Sequence, residues 1–314
     1  FINRLCEIMD NGMFMMGKKT EEFENKFAKY CGRKYAVGVS SGTSALILAL
    51  KTLNIGKGDE VIHPPISFIA STGSIVHVGA KPIFVDVTRD GLIDPEKIEE
   101  KITKNTKAIM PVHLTGRMCD MTKIMNVARK HNLKVIEDCA QSIGSVYRKK
   151  KSGSFGDLGA FSTHPLKNLN ACGDGGFIVT NNKKIADFIK LKRNHGHIDR
   201  DNIKFFGTVS RLDAIQAAIL NFRLKKLEKV ISKRVKNAQY YKKLLRNEDI
   251  YHPDVRSDCR DTYHLFVIQV KNRDDLKKVL LKRKIETNIH YPIPIHKQRA
   301  FNKKIKLPNT EEQY

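Results

Sequence analysis

The chain has 314 residues, and its 57 Lys plus Arg against 33 Asp plus Glu give a formal net charge of +24. A hydrophobic content of 41% is enough to bury a core, which excludes a disordered polyelectrolyte. No apolar run reaches about 18 residues, so no transmembrane helix is expected. The six cysteines (Cys6, Cys31, Cys119, Cys139, Cys172 and Cys259) form no CxxC pair. That pattern argues against a disulfide framework or a zinc site, and for reduced thiols in a cytoplasm. The basic excess is spread in short runs such as Arg148–Lys151, Lys183–Lys184, Lys225–Lys226 and Lys282–Lys284. It reads as solvated helix faces rather than a focused nucleic-acid footprint. The chain opens on Phe1 with no signal-peptide pattern, so a trimmed or partial sequence is expected.

In chain order, Thr20–Tyr30 reads as an amphipathic helix, with Phe23, Phe27 and Tyr30 at three- and four-residue spacing. Short apolar strands follow at Ala36–Val39, Glu60–His63, Pro82–Val87, Ala108–Val112, Lys134–Glu137, Leu158–Ser162 and Gly176–Thr180. Helices are expected between them at Ser44–Leu53, Phe68–Val78, Pro95–Ile102 and Lys123–His131. This alternation implies an α/β fold with a mostly parallel sheet and helices on both faces. From Leu212 the chain turns helical and basic, with helices at Ala214–Leu227 and Val230–Leu245. After a polar connection, His264–Val270, a helix at Arg273–Arg283 and a strand around Glu286–His290 read as a small α+β unit. The expected division is a large domain over 1–230 and a small one over 231–314.

Three segments place reactive residues at strand ends, where ligands of open α/β sheets gather. Ser40-Ser41-Gly42-Thr43-Ser44-Ala45 follows a strand and opens a helix. Its small residues and free N–H groups suit a phosphate, and equally an ordinary serine cap. Val135–Gln141 delivers Asp138 to a strand tip, where it is either a helix cap or a working carboxylate. Gly159–Asn168, followed by Gly173–Phe177, isolates Lys167 in apolar sequence. A desolvated lysine can form a Schiff base, and one whose amine reaches water does nothing. Taken together, cradle, carboxylate and lysine are the equipment for pyridoxal phosphate.

With these segments in place, the sequence resembles the DegT/DnrJ/StrS family of pyridoxal-phosphate sugar aminotransferases. Further matches are Gly58–Ile62, Ser67–Ser71, Phe84–Asp86, Pro111–Gly116, Arg193–Gly196, Ser210–Asp213 with Gln216–Ala218, and His290–His296. The resemblance implies an aspartate-aminotransferase-like large domain and a homodimer. It implies that Lys167 bonds the cofactor and moves the proton, while Asp138 pairs with the pyridine nitrogen and Gln141 sits near the ring hydroxyl. Gly42, Thr43 and Ser162 would contact the phosphate, and Phe68 one face of the ring. His290, Tyr291 and His296 would approach the substrate. His164 would pack near the cofactor without catalysing, His113 would be structural, and Cys139 and Cys172 would be small packing residues.

Two departures from the family pattern stand out. Family members carry Asn two residues before the Arg of the Ser-Arg-Leu stretch, reaching the partner's phosphate. Here the position is Val209, which cannot donate, leaving Thr208 or Ser210 to take over. Members also continue past Leu307–Glu311, so the small domain is expected to lack on the order of 50 residues at usual domain sizes. The implied activity moves an amino group from glutamate to a keto group, possibly at C3, of a nucleotide-linked sugar, in amino-sugar and polysaccharide biosynthesis. Rival readings are a dehydratase of the same family, which would carry histidine in place of Lys167, and a DNA-binding regulator, for which no recognition motif is apparent. No metal, membrane or nucleic-acid partner is expected.

Overall fold

The structure, a computed structural model, describes residues 2–301 and 304–313. The chain begins with helices α1 (Ile2–Asn11) and α2 (Lys18–Cys31), then alternates β1 (Tyr35–Val39), α3 (Gly42–Thr52), β2 (Glu60–His63), α4 (Ala70–His77), β3 (Lys81–Phe84), β4 (Thr106–Ile109), α5 (Met121–Lys130) and β5 (Lys134–Asp138). A hairpin, β6 (Val146–Tyr147) and β7 (Lys150–Lys151), precedes β8 (Leu158–Ser162), β9 (Gly176–Thr180) and α6 (Lys183–Lys192). The last part holds α7 (Ala214–Leu224), α8 (Leu227–Leu244), β10 (Cys259–Arg260), α9 (Arg273–Lys282) and α10 (Pro308–Glu312). None of the described helices is long and apolar enough to cross a membrane.

The main sheet has the order β1-β9-β8-β5-β4-β2-β3. Only β9 is reversed, lying antiparallel between β1 and β8; the other pairs are parallel. The carboxyl ends of β1, β5 and β8 and the start of β9 therefore share one edge, the edge where ligands bind such sheets. A small antiparallel sheet joins β10, β6 and β7.

Apolar runs explain the layering. α3 buries Ala45, Leu46, Leu48, Ala49 and Leu50 against the sheet. On the opposite face α2 and α7 cover an aromatic cluster, in which the Phe161 and Phe177 rings stack at 4.8 Å. α5, capped by Asp120 accepting from the Lys123 N–H, covers the third cluster around Ile109, Met121 and Val135.

Several expected features come out differently. Pro95–Ile102 is not an α-helix but two 3₁₀ turns, Pro95–Lys97 and Glu99–Lys101. Ile98 is the buried residue among charged neighbours, so little packing supports a longer helix. His264–Val270 and Glu286–His290 form no strands. A strand needs a partner backbone, and here Gln269 pairs only with Tyr251, as an isolated bridge. The expected boundary at 230/231 falls inside α8, which runs through it unbroken.

Candidate active site

The site builds up from the shared sheet edge. Ser41 caps α3, its hydroxyl accepting from the Ser44 N–H at 3.0 Å. The first-turn N–H groups of Gly42 and Thr43 have no acceptor within the helix. Gly42 is required by close approach: a Cβ there would lie 2.7 Å from Ser162 Cβ. Gly176 is as tight, its added Cβ 2.4 Å from the Ser41 backbone. Three strand ends thus meet with no room for a methyl group, leaving a backbone-lined concavity suited to an anion. Ser210 braces it: its hydroxyl accepts from the Ser40 N–H at 3.4 Å and lies 3.1 Å from Ser40 Oγ, which is 2.9 Å from Ser44 Oγ. Val209 instead is exposed and bridges to Asn194.

Asp138 ends β5 and is buried. Its carboxylate accepts from Ser71 Oγ at 2.7 Å and from the Ala140 N–H at 3.1 Å; Ser71 in turn lies 2.6 Å from Ser67 Oγ. The preceding residue, Glu137, points to the other side of the strand. It is fully buried and accepts from the N–H groups of Gly153, Phe155 and Gly156 at 3.0, 2.7 and 2.8 Å. His113 Nε2 donates to it at 3.1 Å, the tautomer being set by the Cys119 N–H donating to His113 Nδ1 at 3.2 Å. Burial alone would raise the Glu137 pKa, but His113 and the loop N–H groups outweigh it and hold the carboxyl below its usual range. Those bonds account for His113 and Glu137, although Cys139 brings a third ligand-type atom within 4.8 Å.

Lys167 sits on the loop after β8, in a turn closed by its N–H donating to His164 O at 2.8 Å. Burial lowers its pKa and the nearby Asp138 charge partly restores it; the cradle packs against Ser162, two residues past Ala160, which pairs with Asp138 in the sheet. Phe68 is 58% exposed, its ring open at the start of α4. Gln141 is a connector: Oε1 accepts from the Thr115 N–H at 2.8 Å and Nε2 donates to the Tyr291 hydroxyl at 3.0 Å. His290 lines a cavity of about 210 Å³ with Ile66, Thr115, Tyr263 and Leu265.

Some expected positions lie elsewhere. His296 is 2% exposed. It packs against Phe84 with its Nε2 3.5 Å from Glu311, and this burial leaves His290 and Tyr291 as the members of their segment nearer the pocket. His164 is exposed, its Nδ1 accepting from the Leu166 N–H. Cys139 is buried as expected, whereas Cys172 is exposed and so is not a packing residue. Ser71 was legible only as part of a matched segment; its contact with Asp138 links positions 67 residues apart.

The family profile for the DegT/DnrJ/EryC1/StrS aminotransferases matches residues 1–314. The chain is 46% identical over 296 residues to a dTDP-3-amino-3,6-dideoxy-alpha-D-galactopyranose transaminase of Aneurinibacillus thermoaerophilus, covering 94% of this chain and 82% of that protein. It is 42% identical to a UDP-N-acetyl-3-dehydro-alpha-D-glucosamine 3-aminotransferase of Acidithiobacillus ferrooxidans, with coverages of 94% and 80%. Among solved structures, DesV of S. venezuelae in complex with a ketimine intermediate superposes at a TM-score of 0.95 with 38% identity, covering 98% of this chain and 85% of DesV. A Bacillus subtilis protein, NtdA, with bound cofactor PMP superposes at 0.93 with 35% identity, over 99% of this chain and 74% of its own. On its matched sequence and its fold, this chain belongs to the DegT/DnrJ/EryC1/StrS aminotransferase family.

Proposed function

We propose that this chain is a pyridoxal-phosphate-dependent aminotransferase that moves an amino group from glutamate to the keto group, at C3, of a nucleotide-linked sugar. The observation that carries the reading is the half-buried Lys167 with a lowered pKa in one pocket with buried Asp138 and the Gly42 cradle. The two transaminase relatives named above, both with a 3-amino or 3-dehydro sugar in their names, support the C3 position.

The residues present fit the cofactor. The α3 terminus and Ser162 offer N–H and hydroxyl donors to a phosphate, and the absent side chain at Gly42 leaves the space. Bound there, pyridoxal phosphate supplies an electron sink for the carbon that loses and regains a proton. Asp138, oriented by Ser71 and the Ala140 N–H, keeps a proton on the ring nitrogen and balances the charge that develops there. Lys167 Nζ, its ammonium disfavoured by burial, takes the proton from the donor Cα and returns it to the acceptor side. Phe68 covers one ring face, and Gln141, anchored by Thr115 and Tyr291, meets the ring hydroxyl. His290 and Tyr291 border the sugar. A lysine at 167 does not suit the dehydratase alternative.

We assign the active form to a homodimer in the cytoplasm, with no nucleic-acid or membrane partner. Exposed apolar residues, among them Phe68, Leu166, Phe206 and Val209, support a covered face.

Reconstitution with pyridoxal phosphate followed by borohydride reduction should fix the label on Lys167, read by peptide mass. Incubation with glutamate and a panel of 3-keto and 4-keto nucleotide sugars should then yield an amino sugar from the 3-keto members. A colourless protein after reconstitution overturns the enzyme reading, and amination of 4-keto members alone overturns the C3 assignment.

A further inference from the structure

Gln216, in the matched segment Gln216–Ala218, and the exposed Cys172 have no role in the chemistry above, and one contact joins them. Gln216 stands on the first turn of α7, a helix that buries Ala217 and Leu220 in the aromatic cluster. Its Oε1 accepts from the Cys172 N–H at 2.9 Å and its Nε2 donates to Cys172 O at 3.0 Å. The amide thus exchanges both bonds with one residue, as the facing residue of an antiparallel strand does. A two-point bond fixes the direction of the Cys172 backbone as well as its place. Gly173 follows with φ +137°, a conformation that side chains rarely adopt, and an added Cβ there would lie 3.3 Å from Gln216 Nε2.

Cys172 closes the loop that carries Lys167. The neck of that loop is Thr163, whose N–H donates to Gly175 O and whose carbonyl accepts from the Ala171 N–H, both at 2.8 Å. Between Thr163 and Ala171 the backbone forms no helix or strand. It is held by its own turns, with the Lys167 N–H donating to His164 O at 2.8 Å and Asn170 Nδ2 to Pro165 O at 2.6 Å. Leu169 adds packing in the cluster that α7 covers. Among the described residues, side-chain amides tie the loop outward at two places. Asn168 Nδ2 donates to Thr262 O at 3.3 Å, a single and longer bond; the Gln216 pair is shorter and two-sided. Past Cys172, Gly175 and Gly176 pack so closely that an added Cβ would lie 2.4 Å from Thr163 Oγ1 and from the Ser41 backbone respectively. The lysine loop is therefore fixed at its neck by backbone packing and at its exit by Gln216.

We infer that Gln216 is a positioning residue for Lys167: by bracketing Cys172 it sets the loop so that the amine meets the reacting carbon at one place and one angle. This rests on the aminotransferase reading. Gln216 touches neither cofactor nor substrate in this assignment and acts through the short backbone run from Cys172 back to Lys167. The lysine amine inherits any displacement of that backbone. A misplacement of about 1 Å costs a reaction about 10²-fold, whereas α7 and the loop neck keep their packing without the amide. Loss of the clamp is thus read in rate and not in stability.

The test follows how fast borohydride-fixable label appears on Lys167 when the apoprotein is mixed with pyridoxal phosphate, read by peptide mass. Gln216→Met, of similar length without the amide, should slow this about 10- to 100-fold, with kcat for transamination from glutamate falling in step and the KM for glutamate unchanged. Cys172→Ala, which keeps both backbone groups, should label at the wild-type rate. Pyridoxamine phosphate, which forms no bond to the lysine, should bind both variants as tightly as wild type, and thermal unfolding should be nearly unmoved. Labelling of Gln216→Met at the wild-type rate overturns the assignment. So does slow labelling accompanied by weakened pyridoxamine phosphate binding, which places the effect in the phosphate cradle or the fold, and so does equal slowing in Cys172→Ala. These outcomes, in a wild-type protein that labels on Lys167, leave the aminotransferase reading standing. Wild-type protein that takes no label on Lys167 overturns that reading and the assignment with it.

Discussion

The two sides of the pocket are built in different ways. The sheet side carries its chemistry on strand ends: Ser40–Thr43 after β1, Asp138 on β5, Ser162 on β8. Backbone packing holds it so closely that Gly42 and Gly176 leave no room for a methyl group. The C-terminal side meets it through single side chains on irregular backbone, such as Tyr291, whose hydroxyl accepts from Gln141. The contrast separates two tasks. The phosphate cradle and the carboxylate proposed for the cofactor stand on rigid elements, and Lys167 follows β8 in a turn closed by its N–H donating to His164 O. Ligand choice is carried by loops, whose side chains are replaced without disturbing the sheet.

The comparison can be broken most severely at Lys167. Lys167→Ala should lower single-turnover transamination by about 10²- to 10⁴-fold and abolish borohydride labelling, while leaving thermal unfolding nearly unmoved. Glu137→Ala attacks the rigid side without touching the pocket. It strips His113 and three loop N–H groups of their acceptor, and denaturant unfolding should show a loss of about 3–5 kcal/mol. Gly42→Ala adds a methyl group where Ser162 already stands. Overpacking of about 1–3 kcal/mol should appear chiefly as weaker cofactor binding, seen by titrating the apoprotein with pyridoxal phosphate.

Acid tests both sides at once. His63 on β2 and His264 are each held neutral by burial, with pKa values down to about 3 against an ordinary 6.5. The unfolded chain takes up these protons as pH falls through 6.5 and the folded chain does not. Stability contributed by each histidine is therefore full above 6.5 and declines toward pH 3, by about 1.4 kcal/mol per pH unit. Urea midpoints between pH 6.5 and 4 should follow that slope, and His63→Leu should make it shallower. The smallest effect is expected at Tyr291→Phe, which removes the 3.0 Å bond to Gln141. The cost should be about 1 kcal/mol, visible as a raised KM for the sugar with kcat little changed; an equal fall in kcat would show that the loop side also shapes the chemistry.

The same division governs what the sequence reveals. The strands Glu60–His63, Leu158–Ser162 and Gly176–Thr180 are legible to the residue, because continuous apolar runs bounded by turns have few other readings. The residues proposed to act on the sheet side stand out as candidates too, since Asp138 ends such a run and Ser41 and Lys167 follow shortly after others. Pro95–Ile102 misleads because Asp94 and Pro95 are a sound helix start, yet Ile98 is all it buries. Ser71 could not be singled out, since its significance lies in a contact across 67 positions of sequence, with Asp138, and no local pattern records that. His296 shows the converse, a residue in a matching segment that turns inward against Phe84.

The neighbouring carboxylates of β5 have one further consequence. Glu137 and Asp138 are one peptide apart and face opposite sides of the strand, the first bonded into the 153–156 loop and the second into the pocket. A deletion or insertion of a single residue upstream on this strand would exchange them, turning the anchor toward the ligand and the working acid toward the loop. Many substitutions along β5 leave that arrangement intact, but no single-residue change in its length does. Over homologous genes, this stretch should accordingly vary in spelling while holding its residue count fixed.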